Sequence, residues 1–259
     1  MPGSLIDALG ARSGIVCAVG AGGKKTILHR ILADHPGRVG LTATVMSTFP
    51  DRGIVDARLI TEPSELRQRV PGSARHHRRV AFARPGHKPG RVAGLDPDLV
   101  AELHARSHFD VSLVKSDGAR MRGIKAPRAD EPVVVRGCTT LISVVSAAVI
   151  GQALDERIAH RVERLGELLG TPTGTLITAV HIGGLISDEH GGRQRLGTAR
   201  HIAVITHVDD GGRLVEARRA ARIALDSATP PERVILASMT AADPIAEVIE
   251  PPPAGETAS

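Results

Sequence analysis

The chain has 259 residues, 42% hydrophobic and 24% charged, with 33 Lys and Arg against 28 Asp and Glu for a net charge of +5. No apolar run approaches the ~20 residues needed to cross a bilayer, so no membrane anchor is expected. Three Phe, with no Tyr and no Trp, leave few platforms for stacking bases, which argues against a nucleic-acid partner. The two cysteines, Cys17 and Cys138, cannot build a disulfide framework, so a reducing, cytoplasmic setting is expected.

Leu5–Leu9 reads as a short helix. Gly14–Val19 is an apolar run of strand length that leads directly into Gly20-Ala21-Gly22-Gly23-Lys24-Lys25-Thr26. A helix follows, with Ile27, Leu28, Ile31 and Leu32 on one face. Arg38–Leu41 opens a second strand that ends in Thr42-Ala43-Thr44. Pro63 starts a helix, Arg79–Ala83 reads as a strand, and residues 85–90 as a turn. Asp96-Pro97 begins a helix that turns Leu99, Val100 and Leu103 inward. Val111–Val114 is a buried strand ending at Lys115-Ser116-Asp117-Gly118.

Further on, Val133–Val135 and Leu141–Val145 read as strands, and residues 156–169 and 176–186 as helices. His201–Ile205 is a strand ending at Thr206-His207-Val208-Asp209; residues 213–228 form an arginine-rich helix, and Val234–Ala237 a last strand. Strands alternating with helices predict an α/β fold, a mainly parallel sheet with helices on both faces. Residues 1–250 read as a single domain, and 251–259, opening on Pro251-Pro252-Pro253, as a polar disordered tail.

The strongest chemical signal is the turn at residues 20–26. Glycines let several backbone N–H groups converge on one phosphate, and the helix that follows adds its positive end. The pattern G-x-x-x-x-G-K-[ST] is not met in full: Lys25 stands where a metal-binding hydroxyl belongs, if Gly23-Lys24 is the G-K pair. Taking Lys25-Thr26 as the K-[ST] pair puts Lys24 in place of the last glycine. Three glycines precede Lys24 in the turn, which favours it as the phosphate lysine, with Thr26 reaching a metal from one position later. Gly20, Ala21, Gly22, Gly23, Lys24, Lys25 and Thr26 are thus the expected phosphate contacts for ATP or GTP, with Mg²⁺ between Thr26 and Asp117.

Asp117 ends its strand beside Gly118, where phosphate-binding proteins carry a second acidic residue. Thr42 and Thr44 end a strand on the same expected rim. Arg120, Arg122 and Lys125 place cations beyond Asp117 that could neutralise a transferred phosphoryl group, and the acidic pair Asp130-Glu131 could pair with them. Lys24, Asp117 and Lys125 are therefore the candidate catalytic set. Asp209, at the end of a late strand, is a candidate base contact, with Ser238-Met239 after the next strand. His76-His77 among arginines has no ligand partner at metal spacing and reads as a solvated basic loop.

Together these segments resemble the YqeC family, accessory proteins of selenium-dependent molybdenum hydroxylases. The family's G-x-G-G-K-T-T loop corresponds to Gly20–Thr26, its threonine run to Thr42-Ala43-Thr44, and its G-L-x-P-[DE] segment to Gly94–Asp98. Its E-A-D-G-A, K-A-P and H-E-P-V blocks correspond to Lys115–Ala119, Lys125–Pro127 and Asp130–Val133. Its H-R-P-E is similar to His160–Glu163, and its N-K-V-D to Thr206–Asp209. The resemblance implies a P-loop NTPase-like fold. It also implies a part in maturing a molybdenum- or selenium-dependent hydroxylase, with that client or its cofactor as partner. Lys25 and Lys115 depart from the family's threonine and glutamate, Asp130 from its histidine, and Thr206-His207 from its Asn-Lys. The resemblance therefore implies nucleotide binding with slow hydrolysis, or a non-hydrolysing carrier of a phosphate-bearing cofactor such as a molybdopterin dinucleotide.

Overall fold

A computed structural model describes residues 4–252; most of the expected C-terminal tail, residues 253–259, lies outside them. The strands are β1 (Gly14–Gly20), β2 (Val39–Ala43), β3 (Ala57–Ile60), β4 (Arg79–Pro85), β5 (Val92–Ala93), β6 (Val111–Lys115), β7 (Ile124–Lys125), β8 (Cys138–Ser146), β9 (Ala159–His160), β10 (Arg200–Thr206), β11 (Arg233–Ala237) and β12 (Ile245–Ile249). The α-helices are α1 (Leu5–Ala8), α2 (Lys24–Asp34), α3 (Pro63–Ala74), α4 (Pro97–Ser107), α5 (Val162–Leu169), α6 (Ala179–Ser187) and α7 (Gly211–Leu225). No helix among the described residues is long and apolar enough to cross a membrane.

The central sheet runs β12-β11-β10-β8-β1-β6-β2-β4-β3, and β5 pairs with β4 outside this path. Every neighbouring pair from β3 across to β11 is parallel; β12 and β5 are the antiparallel additions at the margins. The alternation of β1 explains the layers. Val16 and Ala18 face α1 and α2, together with Ile27, Leu28, Ile31 and Leu32. Ile15, Cys17 and Val19 face the opposite side, where Leu66 and Val70 of α3 and Leu99, Val100 and Leu103 of α4 cover them. Further along that face, Ala203, Ile205, Val234 and Leu236 pack beneath α6 and α7. Strands buried on both faces read as continuous apolar runs, which is how the sequence writes them.

Three expected elements differ. Val133–Val135 is extended but joins no ladder: its backbone bonds to Ser116 and to the Thr44 hydroxyl instead, capping the ends of β6 and β2. The helix expected over 156–169 is confined to α5, because residues 155–158 turn and residues 159–160 form β9, paired in parallel with β7. The helix expected from 176 starts at Ala179, where Thr178 and His181 cap its first turn.

Parallel pairing brings the carboxyl ends of β2, β6, β1, β8 and β10 to one rim, where ligands of such sheets gather. The turn at residues 20–26, Asp117 and Thr206 all emerge there.

Candidate functional site

β1 ends in backbone that only glycine accepts comfortably: Gly20, Gly22 and Gly23 have φ of 89°, 83° and 123°. A side chain on Gly20 would run into the Val144 carbonyl of β8, and one on Gly22 into Ser146 and the Gly123 carbonyl. The glycines thus let the turn lie against its neighbours and deliver the chain into α2, whose N-terminus no side chain caps. Thr206 donates its hydroxyl to the Gly22 carbonyl, tying the end of β10 to the turn. The Gly22 N–H, in contrast, is donated at 3.0 Å to the Arg122 carbonyl of the segment beyond Asp117.

The two lysines of the turn point to different places. Lys24 Nζ turns inward, donates to the Gly20 carbonyl and lies 2.8 Å from Asp117 Oδ1; the two side chains are only 4% and 1% exposed. Lys25 is exposed and donates to Thr48 Oγ1 at 3.0 Å. Thr26 is exposed on the same first turn of α2.

Asp117 is the centre of a buried charge network. Its Oδ2 accepts from the Gly20 N–H at 2.9 Å and lies 2.8 Å from Lys125 Nζ. Lys125 also donates to the Gly118 carbonyl at 2.8 Å and to Glu131 Oε2 at 2.9 Å. Arg161 closes the chain with a two-pronged grip on Glu131, at 2.7 and 2.8 Å. The β7–β9 pairing creates this arrangement: it sets Lys125 opposite His160 and so brings Arg161 alongside.

Burial alone would raise the Asp117 carboxyl, but the charges of Lys24 and Lys125 hold it below its ordinary range. Burial pushes the Lys24 ammonium down, against the pull of Asp117. Glu131, which burial would also raise, is brought down to about 2 by Arg161 and Lys125. The network of Lys24, Lys125 and Arg161 around Asp117 and Glu131 carries an excess of positive charge. With Lys24 removed, Lys125 still serves Asp117, and Arg161 still serves Glu131.

The remaining expected residues are spread along the rim. Thr42 is buried and donates to the Phe82 carbonyl at 2.7 Å, and Thr44 donates to the Val133 carbonyl at 2.6 Å. Both hydroxyls are engaged with backbone rather than turned to Lys24. Asp209 stands two strands away from β1, where its Oδ1 accepts from Ser238 Oγ at 2.6 Å. Glu131 joins Lys125 as the sequence suggested, and Arg122, expected to act through its charge, meets the turn through its backbone carbonyl; Ser146, Arg161 and Thr206 enter the site without having been singled out for it. Arg161 had one signal, its place in the block His160–Glu163.

The turn fits an anionic ligand: its glycines admit close approach, the first turn of α2 is uncapped, and Lys24 stands at the junction. The site does not fit a dication held by protein carboxylates. Asp117 is committed to two lysines and a backbone N–H, and no group of three or more metal-ligating His, Cys, Asp or Glu exists among the described residues.

Fold and site together define an α/β protein with a glycine–lysine turn and a buried Lys–Asp–Lys centre at the carboxyl edge of a parallel sheet. The chain matches the family described as "YqeC protein" over residues 16–163, and it belongs to that family. It is also similar to "Uncharacterized protein YqeC" of Escherichia coli (strain K12), with 28% identity over 182 residues, covering 68% of this chain and 69% of that protein.

Proposed function

We propose that this chain is a nucleotide-binding protein with a P-loop NTPase-like fold, acting in the maturation of a selenium- or molybdenum-dependent hydroxylase. The carrying observation is Lys24, held between the glycine turn and Asp117 where the sheet's carboxyl edge meets α2. Because the network keeps each carboxylate paired without it, Lys24 is the cation most easily transferred to a phosphate. The Asp209–Ser238 contact, at the ends of β10 and β11, supports a base-binding corner for ATP or GTP. The hydroxylase context rests on the resemblance of the Asp117–Ala119, Lys125–Pro127 and Glu131–Val133 blocks.

Isothermal titration with ATP and GTP tests the reading. Lys24→Ala is expected to stay folded and to weaken binding by about tenfold or more, roughly 1.4 kcal/mol. Equal affinity in both proteins, for both nucleotides, would remove Lys24 from the site.

One observation favours a second reading, a carrier that binds a phosphate-bearing cofactor without hydrolysing it. Each oxygen of Asp117 lies 2.8 Å from a lysine, which leaves the site poor in carboxylate charge for a dication. We therefore expect nucleotide affinity to change little when Mg²⁺ is replaced by EDTA, and turnover to be slow. Lys25→Thr is expected to increase the dependence on Mg²⁺, since it removes a charge that repels a dication and adds a hydroxyl. Brisk Mg²⁺-dependent hydrolysis by the unaltered protein would exclude the carrier, and mass spectrometry of any ligand retained on purification would identify its cargo.

A further inference from the structure

Beside Lys25, a narrow cleft opens between α2, the carboxyl ends of β2 and β4, and the segment 44–50. Leu41, Phe82 and Val92 form its apolar floor, and Lys25, Lys115 and Phe49 line its walls. The segment 44–50 is pinned to this floor: Ser47 and Val92 exchange backbone hydrogen bonds at 3.1 and 2.9 Å.

The cations of this cleft lack anionic partners. Lys25 meets only the Thr48 hydroxyl, and Lys115 reaches the Met46 carbonyl at a long 3.5 Å; neither forms an ion pair among the described residues. Burial, followed by the charge of Lys24, pushes the Lys115 ammonium down to about 8, with Asp117 opposing in part. A half-buried ammonium that makes no ion pair sits at a cost that an incoming anion relieves. The neighbouring His29 is also pushed down by burial and by Lys25, with the Asp51 carboxylate opposing in part.

We propose that this cleft is a second ligand site, which takes a small oxyanion carried on an apolar body, its charge between Lys25 and Lys115 and its hydrocarbon against Phe49 at the cleft mouth. The cleft shares Lys25 with the expected phosphate contacts but uses neither Lys24 nor the glycine N–H groups, on which the nucleotide reading rests. A bound molecule would nonetheless lie beside the turn, through Lys25.

Ligand-observed NMR with benzoate, phenyl phosphate and the uncharged benzyl alcohol tests this. Benzoate is expected to bind saturably, and more tightly than benzyl alcohol. Lys115→Gln should weaken benzoate by about tenfold, the scale of a lost hydrogen bond to a charged group. Val92→Phe, which fills the floor while keeping both lysines, should block it as well. Lys24→Ala should leave benzoate binding saturable and dependent on Lys115 even if it abolishes nucleotide binding, so the two sites fail separately. Phenyl phosphate binding that survives Lys24→Ala without any benzoate binding would restrict the ligand to phosphates. Benzyl alcohol binding as well as the anions, benzoate unaffected by Lys115→Gln, or no anion bound in the Lys24→Ala protein would each overturn the proposal.

Discussion

Replacing Asp117 by alanine is expected to lower folding stability by about 3–5 kcal/mol, the scale of a buried ion pair broken from one side. Asp117 is the shared counter-charge of Lys24 and Lys125, and all three side chains are almost wholly shielded from water. Without it, Lys24 retains only the Gly20 carbonyl, and Lys125 must lean entirely on Glu131 and the Gly118 carbonyl. The Gly20 N–H also loses its acceptor. The loss should come mainly from stranded charge, so the double variant Asp117→Leu with Lys24→Met should recover part of it. Urea denaturation of the four proteins of that cycle measures the coupling directly. A loss below about 1 kcal/mol, the range of an exposed pair, would show that the network is hydrated and the buried centre is not real.

The second large effect is expected on acidification, and it arises from His201. This ring lies buried at the start of β10, with Nε2 2.8 Å from Ser143 Oγ and no partner for Nδ1. Burial, aided by the charge of Arg193, pushes its pKa down from 6.5 to about 4. Above pH 6.5 the ring is neutral in both folded and unfolded chains, and nothing is lost. Between 6.5 and about 4 the unfolded chain takes up a proton that the folded one refuses, so stability falls as the pH falls. At 1.36 kcal/mol per pKa unit the total is about 3 kcal/mol.

His160, also pushed down to about 4 by burial and by Arg161, acts in the same direction. Glu131 does not intrude until lower pH: its contribution is intact above 4.5 and drains away only towards 2. His201→Asn should therefore flatten much of the stability profile between pH 6.5 and 4.5, measured by chemical denaturation. Parallel profiles for the two proteins would refute the assignment.

The phosphate-loop candidate was legible because its signals are local. An apolar strand runs into glycines and a lysine, and another ends in Asp117, so parallel topology alone puts them on one rim. The partnership of Lys125, Glu131 and Arg161 was only half legible. Glu131 follows Lys125 closely in sequence, but Arg161 arrives through the two-residue pairing of β7 with β9, too short to leave a pattern. Val133–Val135 misled through composition, since β-branched residues in a buried extended cap look like those of a strand. Residues 156–161 misled in the other direction, because nothing in their sequence announces the Asp155 turn or β9. The edge strand β12 also went unread: its residues are only partly buried, and Glu247 interrupts the apolar run to meet Arg218.

The bond from the Gly22 N–H to the Arg122 carbonyl sets terms for any visitor to the turn. An arriving anion finds that donor already spoken for, so it gains there only the difference between two acceptors. If an anion takes that N–H, the Arg120–Gly123 segment would have to give up this latch. Met121, which stands 99% exposed at the tip of that segment between two arginines, would be displaced in step with the exchange. Occupancy of the turn would then be legible on the outside of the molecule, as the position of a single apolar side chain.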